Sequence, residues 1–466
     1  MPYTAFEELL RLAAVDDAHA GELEIRGDDP VLPTRFRVGA AGAAAIAASA
    51  IAAAQLWVLR TGGGRAQSVS VDLRHAVAAL RSVRYLQIDG VPPKEPFDPL
   101  SGLYPARAGR WVFLHCNFPN HRAAALGALG LPSAADRATV ARAVLAWDAL
   151  ALEDAVHAAG GCAGCVRSMD EWSAHPQSAA VASLPLLEIE RFGDAPVEPL
   201  PAGDRPLSGV RVLDLTRVLA GPTCARTLAE HGADVLRVSG PHLAHSGETE
   251  IDTGLGKRST FLDLRRPPDC ETLAALVRDG RCDVFSQAYR PDSLAARGFG
   301  AQGLAKLRPG IVYVELSAWG RAGPWAARRG FDTVVQCVSG MAQIQGGDES
   351  PRTLPVSAID YVSGYLMAFG AMVALERRAR EGGSWRVRVS LARTGKWIVD
   401  RGLLDAALIA DVPKELAQQE ITRITQHTPS PLGLIRHLAP VAHLSQTPPR
   451  WAKPPVPLGH DAPAWE

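Results

Sequence analysis

The chain has 466 residues, a length typical of two or three domains around a large buried core. Its 49 basic and 49 acidic residues cancel, so no net charge favours nucleic acid or an anionic membrane as a partner, and we expect small molecules instead. Seven cysteines without a framework spacing predict reduced thiols in a cytoplasmic protein, and the N-terminal residues do not resemble a secretory signal.

The first strong pattern is an uncharged stretch between Arg37 and Arg60, long enough to cross a bilayer. It consists mostly of alanine and glycine and contains Ser49 and Gln55, so its tendency to insert is weak. We therefore predict a buried, close-packed helix rather than a membrane span.

Residues 206–400 alternate between short apolar runs and helical segments. Strands are predicted at residues 210–215, 234–238, 259–264, 283–287, 311–316 and 385–391. This alternation is typical of an α/β fold with a doubly wound parallel sheet. A Pro/Gly-rich linker precedes this part, and a Pro- and Trp-rich tail, predicted to be an extended strap, follows it. We expect domains at 1–205, 206–400 and 401–466.

Residues 38–73 repeat, faintly, the order of helix, basic residue, glycines and strand found after residue 357. A constant offset without a gap pairs Val71 with Val389, Gly64 with Gly382 and Gly42 with Asp360. The first copy therefore lacks the acidic residue of the second.

Asp360 precedes a long apolar helix that ends in basic residues. Two roles fit this position. A carboxylate can attack a thioester carbonyl and form a mixed anhydride, which divides one difficult exchange into two easier steps. An aspartate at a helix start is also an ordinary N-cap, and on spacing alone the cap is the commoner explanation.

Several basic residues lie in loops of the same part of the chain, where an anion could bind beyond the strand ends. They are Arg217, Lys257, Arg258, Arg321, Arg328 and Arg329. Solvated surface charge is the alternative explanation. No glycine-rich dinucleotide or triphosphate motif is present in the sequence. Cys162 and Cys165 lack the partners of a zinc site, so we predict buried thiols and no bound metal.

Five blocks occur in the order of a known family. They are PLSGVRVLDLTRVLAGP from residue 206, GKRSTFLDL from 256, DVFSQAYRPDSLAARGFG from 283, RPGIVYVELSAWGRAGPWAARRGFD from 308 and SAIDYVSGYLMAFGAMVAL from 357. Together they resemble the class III CoA-transferases. The resemblance implies a Rossmann-like large domain with a smaller α+β domain, and a homodimer. It also implies acyl-CoA and a carboxylic acid as substrates, with no tightly bound cofactor.

The resemblance also implies roles for individual residues. Asp360 falls on the catalytic aspartate, which overrides the N-cap explanation. Residues that fall on CoA-binding positions are Arg217, Val218, Leu219, Ala220, Lys257, Ala288, Tyr289, Arg297 and Arg329. The chain departs from the family pattern at Ser239, where an acid is usual, at Ala288, where asparagine is usual, and at Arg297, which is displaced by one place.

The order of parts departs as well, because residues 36–205 resemble the second half of the family unit but precede the first half. Two other functions remain open. An acyl-CoA racemase needs an acid/base histidine before the aspartate of the G-x-D motif, and Phe331 stands there. A non-catalytic CoA-binding or scaffold protein would fit the lost contacts, although Asp360 is retained.

Overall fold

The computed structural model describes residues 2–15, 22–63, 66–92, 97–290 and 293–466. Its strands are β1 (Leu23–Arg26), β2 (Val69–Asp72), β3 (Gln87–Ile88), β4 (Gly102–Pro105), β5 (Trp111–Leu114), β6 (Ala163–Cys165), β7 (Glu188–Gly193), β8 (Arg211–Asp214), β9 (Asp234–Ser239), β10 (Lys257–Phe261), β11 (Val284–Gln287), β12 (Val312–Ser317), β13 (Ser384–Ser390), β14 (Thr425–Ser430), β15 (Gly433–Leu438) and β16 (Ala442–Leu444).

The α-helices are α1 (Pro2–Leu12), α2 (Val38–Arg60), α3 (Leu73–Ala79), α4 (Pro119–Ala128), α5 (Arg137–Leu145), α6 (Ala149–Ala158), α7 (Met169–Ser173), α8 (Pro176–Ala182), α9 (Ala220–Glu230), α10 (Glu248–Asp252), α11 (Pro267–Arg278), α12 (Ala301–Leu307), α13 (Asp332–Val338), α14 (Met341–Gly346), α15 (Ala358–Glu381), α16 (Leu391–Asp400) and α17 (Gln418–Ile424). Short 3-10 turns lie at Ser82–Tyr85, Arg107–Gly109, Ala295–Arg297 and Ala406–Ile409.

A seven-stranded sheet forms the centre of the fold, in the order β10-β9-β8-β11-β12-β13-β7. The first six strands are parallel, and β7 pairs antiparallel with β13 at the edge. The predicted α/β class with a mostly parallel sheet is therefore confirmed. The edge strand β7 was not predicted, because its half-exposed, charged residues lack the apolar run of a buried strand.

Strand β10 begins two residues earlier than predicted, at Lys257. Its first two residues are basic, which hides the strand from a pattern of apolar residues. Their charges are accepted inside the fold because Lys257 pairs with Asp214 and Arg258 pairs with Asp234.

Helix α15 lies against the sheet and packs on both α9 and α2. The helix predicted between residues 37 and 60 is confirmed as α2, and most of its residues are buried. Its alanine side chains allow close approach to α15, where the Ser49 hydroxyl donates to the Tyr365 carbonyl at 2.9 Å. Both helices are long and apolar enough to span a bilayer by composition, and both are largely enclosed by protein. The predicted domains 1–205 and 206–400 thus share one hydrophobic core.

Helices α2 and α15 begin in the same way, each capped by an aspartate that lies outside the helix. Asp29 accepts the N–H of Ala40, the third residue of α2, at 2.8 Å. Asp332 accepts the N–H of Asp360, the third residue of α15, at 2.9 Å. By helix position Ala40, two residues before Gly42, is the counterpart of Asp360. Neither Ala40 nor Gly42 is acidic, so the first copy lacks the carboxylate in either alignment.

Residues 100–165 form a smaller unit with its own hydrophobic core. Strands β4, β5 and β6 make an antiparallel sheet, and α4, α5 and α6 pack on it. This small unit contacts α13 through β5 and β6. The contact is close: a Cβ at Gly164 would lie 3.1 Å from Val334 Cγ1.

The C-terminal segment crosses back over the central sheet. Strand β15 pairs with β3, and β16 pairs with β2. Beyond them the chain is extended, and its tryptophan side chains anchor it. Trp451 donates to the Arg226 carbonyl at 3.1 Å, and Trp465 donates to the Leu276 carbonyl at 3.0 Å.

Candidate functional site

Asp360 lies in the first turn of α15 and is 7% exposed. Ser357, not Asp360, occupies the N-cap position. Among the described residues, none donates a hydrogen bond to the Asp360 carboxylate. The side chain therefore does not cap the helix, and its oxygens are left for another partner. The helix dipole favours the anion at this end.

Asp332 is the neighbouring carboxyl group. One of its oxygens accepts the Asp360 N–H, and the other accepts the Gln336 amide. Burial raises the pKa of Asp332 to about 6. Burial also raises the pKa of Asp360 well above its ordinary value, and the negative charge of Asp332 raises it further. A desolvated carboxylate next to a second carboxyl group is therefore held at the start of α15.

The loop between β8 and α9 approaches Asp360. A Cβ at Gly364, one helical turn after Asp360, would lie 2.4 Å from the Ala220 carbonyl. Only glycine permits this approach of the two helices. The start of α9, which follows the loop residues Arg217, Val218 and Leu219, thus packs against α15 one turn after Asp360.

Val218 in this loop has φ +71°. A β-branched residue in the left-handed region is strained, by about 1–3 kcal/mol. Strain of this kind is maintained only where the surrounding structure requires it, and it often marks a ligand-binding turn.

The substitution V218G tests this strain. Glycine adopts φ +71° freely, although it costs more entropy on folding, so we expect the free energy of unfolding to rise by about 1 kcal/mol. We also expect weaker binding of a ligand at this turn, because the turn becomes less rigid. Chemical denaturation and ligand titration measure the two effects. The matched control V218A keeps the strained Cβ and should not be stabilised; a destabilised V218G protein would contradict the strain.

Cationic side chains lie in this loop and near it, because Arg217 and Arg329 both lie close to His121. Arg217 donates to the Ala244 carbonyl and lies over the Phe118 ring, 5.0 Å from its centre. Burial lowers the pKa of Arg217 and raises the pKa of Tyr289 beside it. Burial and the charge of Arg290 lower the pKa of Arg329. Among the described residues, these three arginines have no carboxylate within ion-pair distance, so they are available to an anion.

Other predicted residues lie apart from this space. The Lys257 ammonium is buried and bonds to Asp214 at 2.7 Å and to the Pro222 carbonyl at 2.8 Å. Arg297 donates to the Leu264 and Ser293 carbonyls.

Two other arginines of the loop between β12 and α13 are also paired with acidic residues. Arg321 forms an ion pair with Glu188, and Arg328 forms ion pairs with Asp154 and Glu153. Ala288 is half-buried and packs against the core.

A cluster of four rings, which the sequence did not predict, lies against Arg217 through the Phe118 ring. It consists of His115, Phe118, His121 and Phe331. The first three belong to the small unit, and Phe331 precedes α13. In the segment HCNFPNH (115–121) the three rings recur at every third residue, which is the only sequence pattern that could have indicated the cluster. That pattern does not indicate the contact with Phe331.

A cavity of about 340 Å³ continues from Tyr289 along the carboxyl ends of β11, β12 and β13. Its charged lining residues are Arg290, Arg321, Arg386, Arg388, Glu188 and Glu315.

Among the described residues, no group of three or more His, Cys, Asp or Glu side chains is placed to hold a metal ion. Cys162 and Cys165 are buried free thiols whose pKa values burial raises.

Comparison with known proteins shows the family to which the chain belongs. A profile described as CoA-transferase family III matches residues 13–201 and 207–428. Acetyl-coenzyme A transferase nodX of Hypoxylon pulicicidum is 30% identical over 388 residues, which cover 72% of this chain and 65% of that protein. Succinate--glutarate CoA-transferase of Agrobacterium fabrum is 33% identical over 211 residues, 41% of this chain and 52% of that protein.

A crystal structure of a CAIB/BAIF family protein from Brucella suis matches with 26% identity and a TM-score of 0.39, over 43% of this chain and 56% of that one. The family profile covers well over half of the 466 residues of this chain, so the chain belongs to CoA-transferase family III. The chain spans about one half to two thirds of the length of the relatives described here.

Proposed function

We propose that the protein transfers CoA from an acyl-CoA donor to a carboxylic acid through a covalent intermediate on Asp360. The observation that carries this proposal is the buried Asp360 carboxylate without a hydrogen-bond donor at the start of α15. The site supplies a desolvated nucleophile and nearby cations, which are the two requirements of the reaction.

In the first step an Asp360 oxygen attacks the thioester carbonyl, the C–S bond breaks, and CoA leaves as thiolate. The thiolate then attacks the Asp360 carbonyl of the mixed anhydride and releases the donor acid. The acceptor carboxylate attacks the resulting aspartyl-CoA thioester and again expels the thiolate. Attack of the thiolate on the acceptor's acyl carbonyl forms the new acyl-CoA and regenerates Asp360. Each step exchanges one acyl bond for another, so the atoms balance.

We place the CoA phosphates near Arg217 and Arg329, and the pantetheine arm along residues 218–220 toward Asp360. Tyr289 and Ala288 lie at the adjoining end of β11. The sheet supports this placement: its six parallel strands follow the chain in the order 3-2-1-4-5-6, which suits a Rossmann-like domain that binds its ligand beyond the carboxyl ends of the strands. Lys257 and Arg297 remain predicted contacts, but their hydrogen bonds to protein groups support structural roles.

Racemisation of an acyl-CoA is the second candidate. Phe331 cannot exchange a proton, but the imidazoles of His115 and His121 contact its ring, with His115 only 3.8 Å away between ring centres. A histidine from elsewhere in the chain therefore stands close to the position where racemases need one. Exchange of the α-hydrogen of a bound acyl-CoA with deuterated solvent would distinguish this reaction from transfer.

The experiment that tests CoA transfer is trapping of the intermediate. Incubation with succinyl-CoA or acetyl-CoA should produce an adduct on the peptide that contains Asp360, and hydroxylamine should convert it to a hydroxamate. Peptide mass spectrometry detects both products. No adduct across a panel of acyl-CoA donors, with CoA binding intact, would instead support a scaffold protein.

We also propose a homodimer in the cytoplasm. The family resemblance supports the dimer, and the free cysteines suit a reducing compartment. Light scattering of the purified protein and fractionation of cells measure these two properties.

A further inference from the structure

His115 makes the closest ring contact of the four-ring cluster. Its imidazole lies parallel to the Phe331 ring, with 3.8 Å between centres and 4° between planes. The other rings brace this pair, with Phe118 and His121 5.9 and 5.7 Å from Phe331. The backbone of His115 is fixed to the small unit, because its N–H donates to the Cys162 carbonyl at 3.0 Å.

A continuous path of short contacts leads from this stack to Asp360. Phe331 is the N-cap residue of α13 and is bonded directly to Asp332. The Asp332 carboxylate in turn accepts the Asp360 N–H at 2.9 Å. Displacement of the Phe331 ring therefore moves the carboxylate that fixes the first turn of α15.

The imidazole contributes to this contact through its face. Among the described residues, none bonds to His115 Nδ1, which is buried. Burial and the nearby His121 lower the pKa of His115 to about 3, so the ring is neutral at physiological pH. A buried polar atom without a partner is destabilising, so packing against Phe331 outweighs polar bonding at this nitrogen.

We propose that His115 is a positioning residue that holds Asp360 in its reactive geometry through Phe331 and Asp332. The proposal rests on the proposed function of Asp360 as the nucleophile. It also assigns a role to the small unit of residues 100–165, which orients the nucleophile.

The variant H115A tests the proposal. Loss of the stacked ring should lower kcat by about 10- to 100-fold, because small displacements of a catalytic group have effects of this size. The KM for acyl-CoA should change less than about threefold, since the ring contacts of His115 are with Phe118, His121 and Phe331, none of which is assigned to CoA. The acidic limb of the pH–rate profile should move to lower pH, because water admitted beside Asp360 reduces the burial that raises its pKa.

Two further variants make the result decisive. H115F keeps a flat ring and should restore kcat to within about threefold of the parent protein. L114A removes a side chain from the core of the small unit at the neighbouring residue, so it should lower stability without moving the pH limb or kcat.

Unchanged kcat in H115A, an H115F protein as slow as H115A, or an equal loss in L114A would each overturn the proposal. Failure of the proposed function is distinguishable from these outcomes, because it would appear as full activity in D360N.

Discussion

Replacing Asp360 with asparagine should lower the rate of CoA transfer by at least about 10,000-fold, as loss of a nucleophile does in enzymes that form covalent intermediates. The amide has nearly the same shape, but it cannot attack a thioester and then leave as a carboxylate. Assays with succinyl-CoA and a panel of acids measure the rate, and peptide mass spectrometry should find no adduct at this position. Residual transfer above one hundredth of the parent rate would exclude Asp360 as the nucleophile.

The same substitution should stabilise the protein at neutral pH. The pKa of Asp360 is raised in the folded state, so the folded protein holds this proton more tightly than the unfolded chain. The contribution to stability is then present below the unfolded pKa and is lost as pH rises through the folded pKa. At pH 8 the ionised carboxylate opposes folding, and D360N should gain more than about 1 kcal/mol. Urea denaturation at pH 8 and pH 4 should show the gain at pH 8 and little difference at pH 4.

Asp332→Asn is the informative comparison, because it keeps the Asp360 carboxylate and removes the neighbouring charge. The negative charge of Asp332 raises the pKa of Asp360, so its removal should let Asp360 ionise at lower pH. The adduct should still form, and the acidic limb of the pH–rate profile should move to lower pH. An unmoved limb would show that the two carboxyl groups do not interact in the working enzyme.

The sequence predicted the central sheet well because its parallel strands are buried on both faces and appear as apolar runs. It predicted Asp360 at a helix start and residues 217–220 after a strand end, and in the structure the start of α9 packs against α15 at Gly364, one turn after Asp360. These features depend on local patterns or on the family motifs. They could be recognised without knowing which distant residues meet.

The rest depends on contacts between residues far apart in the chain. Asp332 caps α15 from another helix, and nothing in its own segment indicates that bond. His115 and Phe331 are separated by more than two hundred residues and meet only because the small unit packs on α13. Charge alone was also misleading for Arg321 and Arg328, because each is paired with an acid from the N-terminal part of the chain.

Lys257 shows how a basic residue in a family motif can serve the fold. Its ammonium is 2% exposed, and its partner Asp214 is fully buried. The second Asp214 oxygen accepts the N–H and the hydroxyl of Thr216, at the start of the loop that carries Val218. The ion pair therefore stabilises the start of the loop between β8 and α9.

We expect K257M to lower the free energy of unfolding by about 3–5 kcal/mol, because it leaves Asp214 as an unpaired buried charge. The double variant K257M/D214L removes both charges and should recover most of that loss. The surface variant K396M breaks an exposed pair with Asp400 and should change stability by less than about 0.5 kcal/mol.

In folded K257M the KM for acyl-CoA should rise less than about threefold, whereas loss of a direct phosphate contact would raise it about tenfold or more. Denaturation and kinetics on the same preparations separate the two roles: a tenfold rise in KM with unchanged stability would restore Lys257 as a CoA contact.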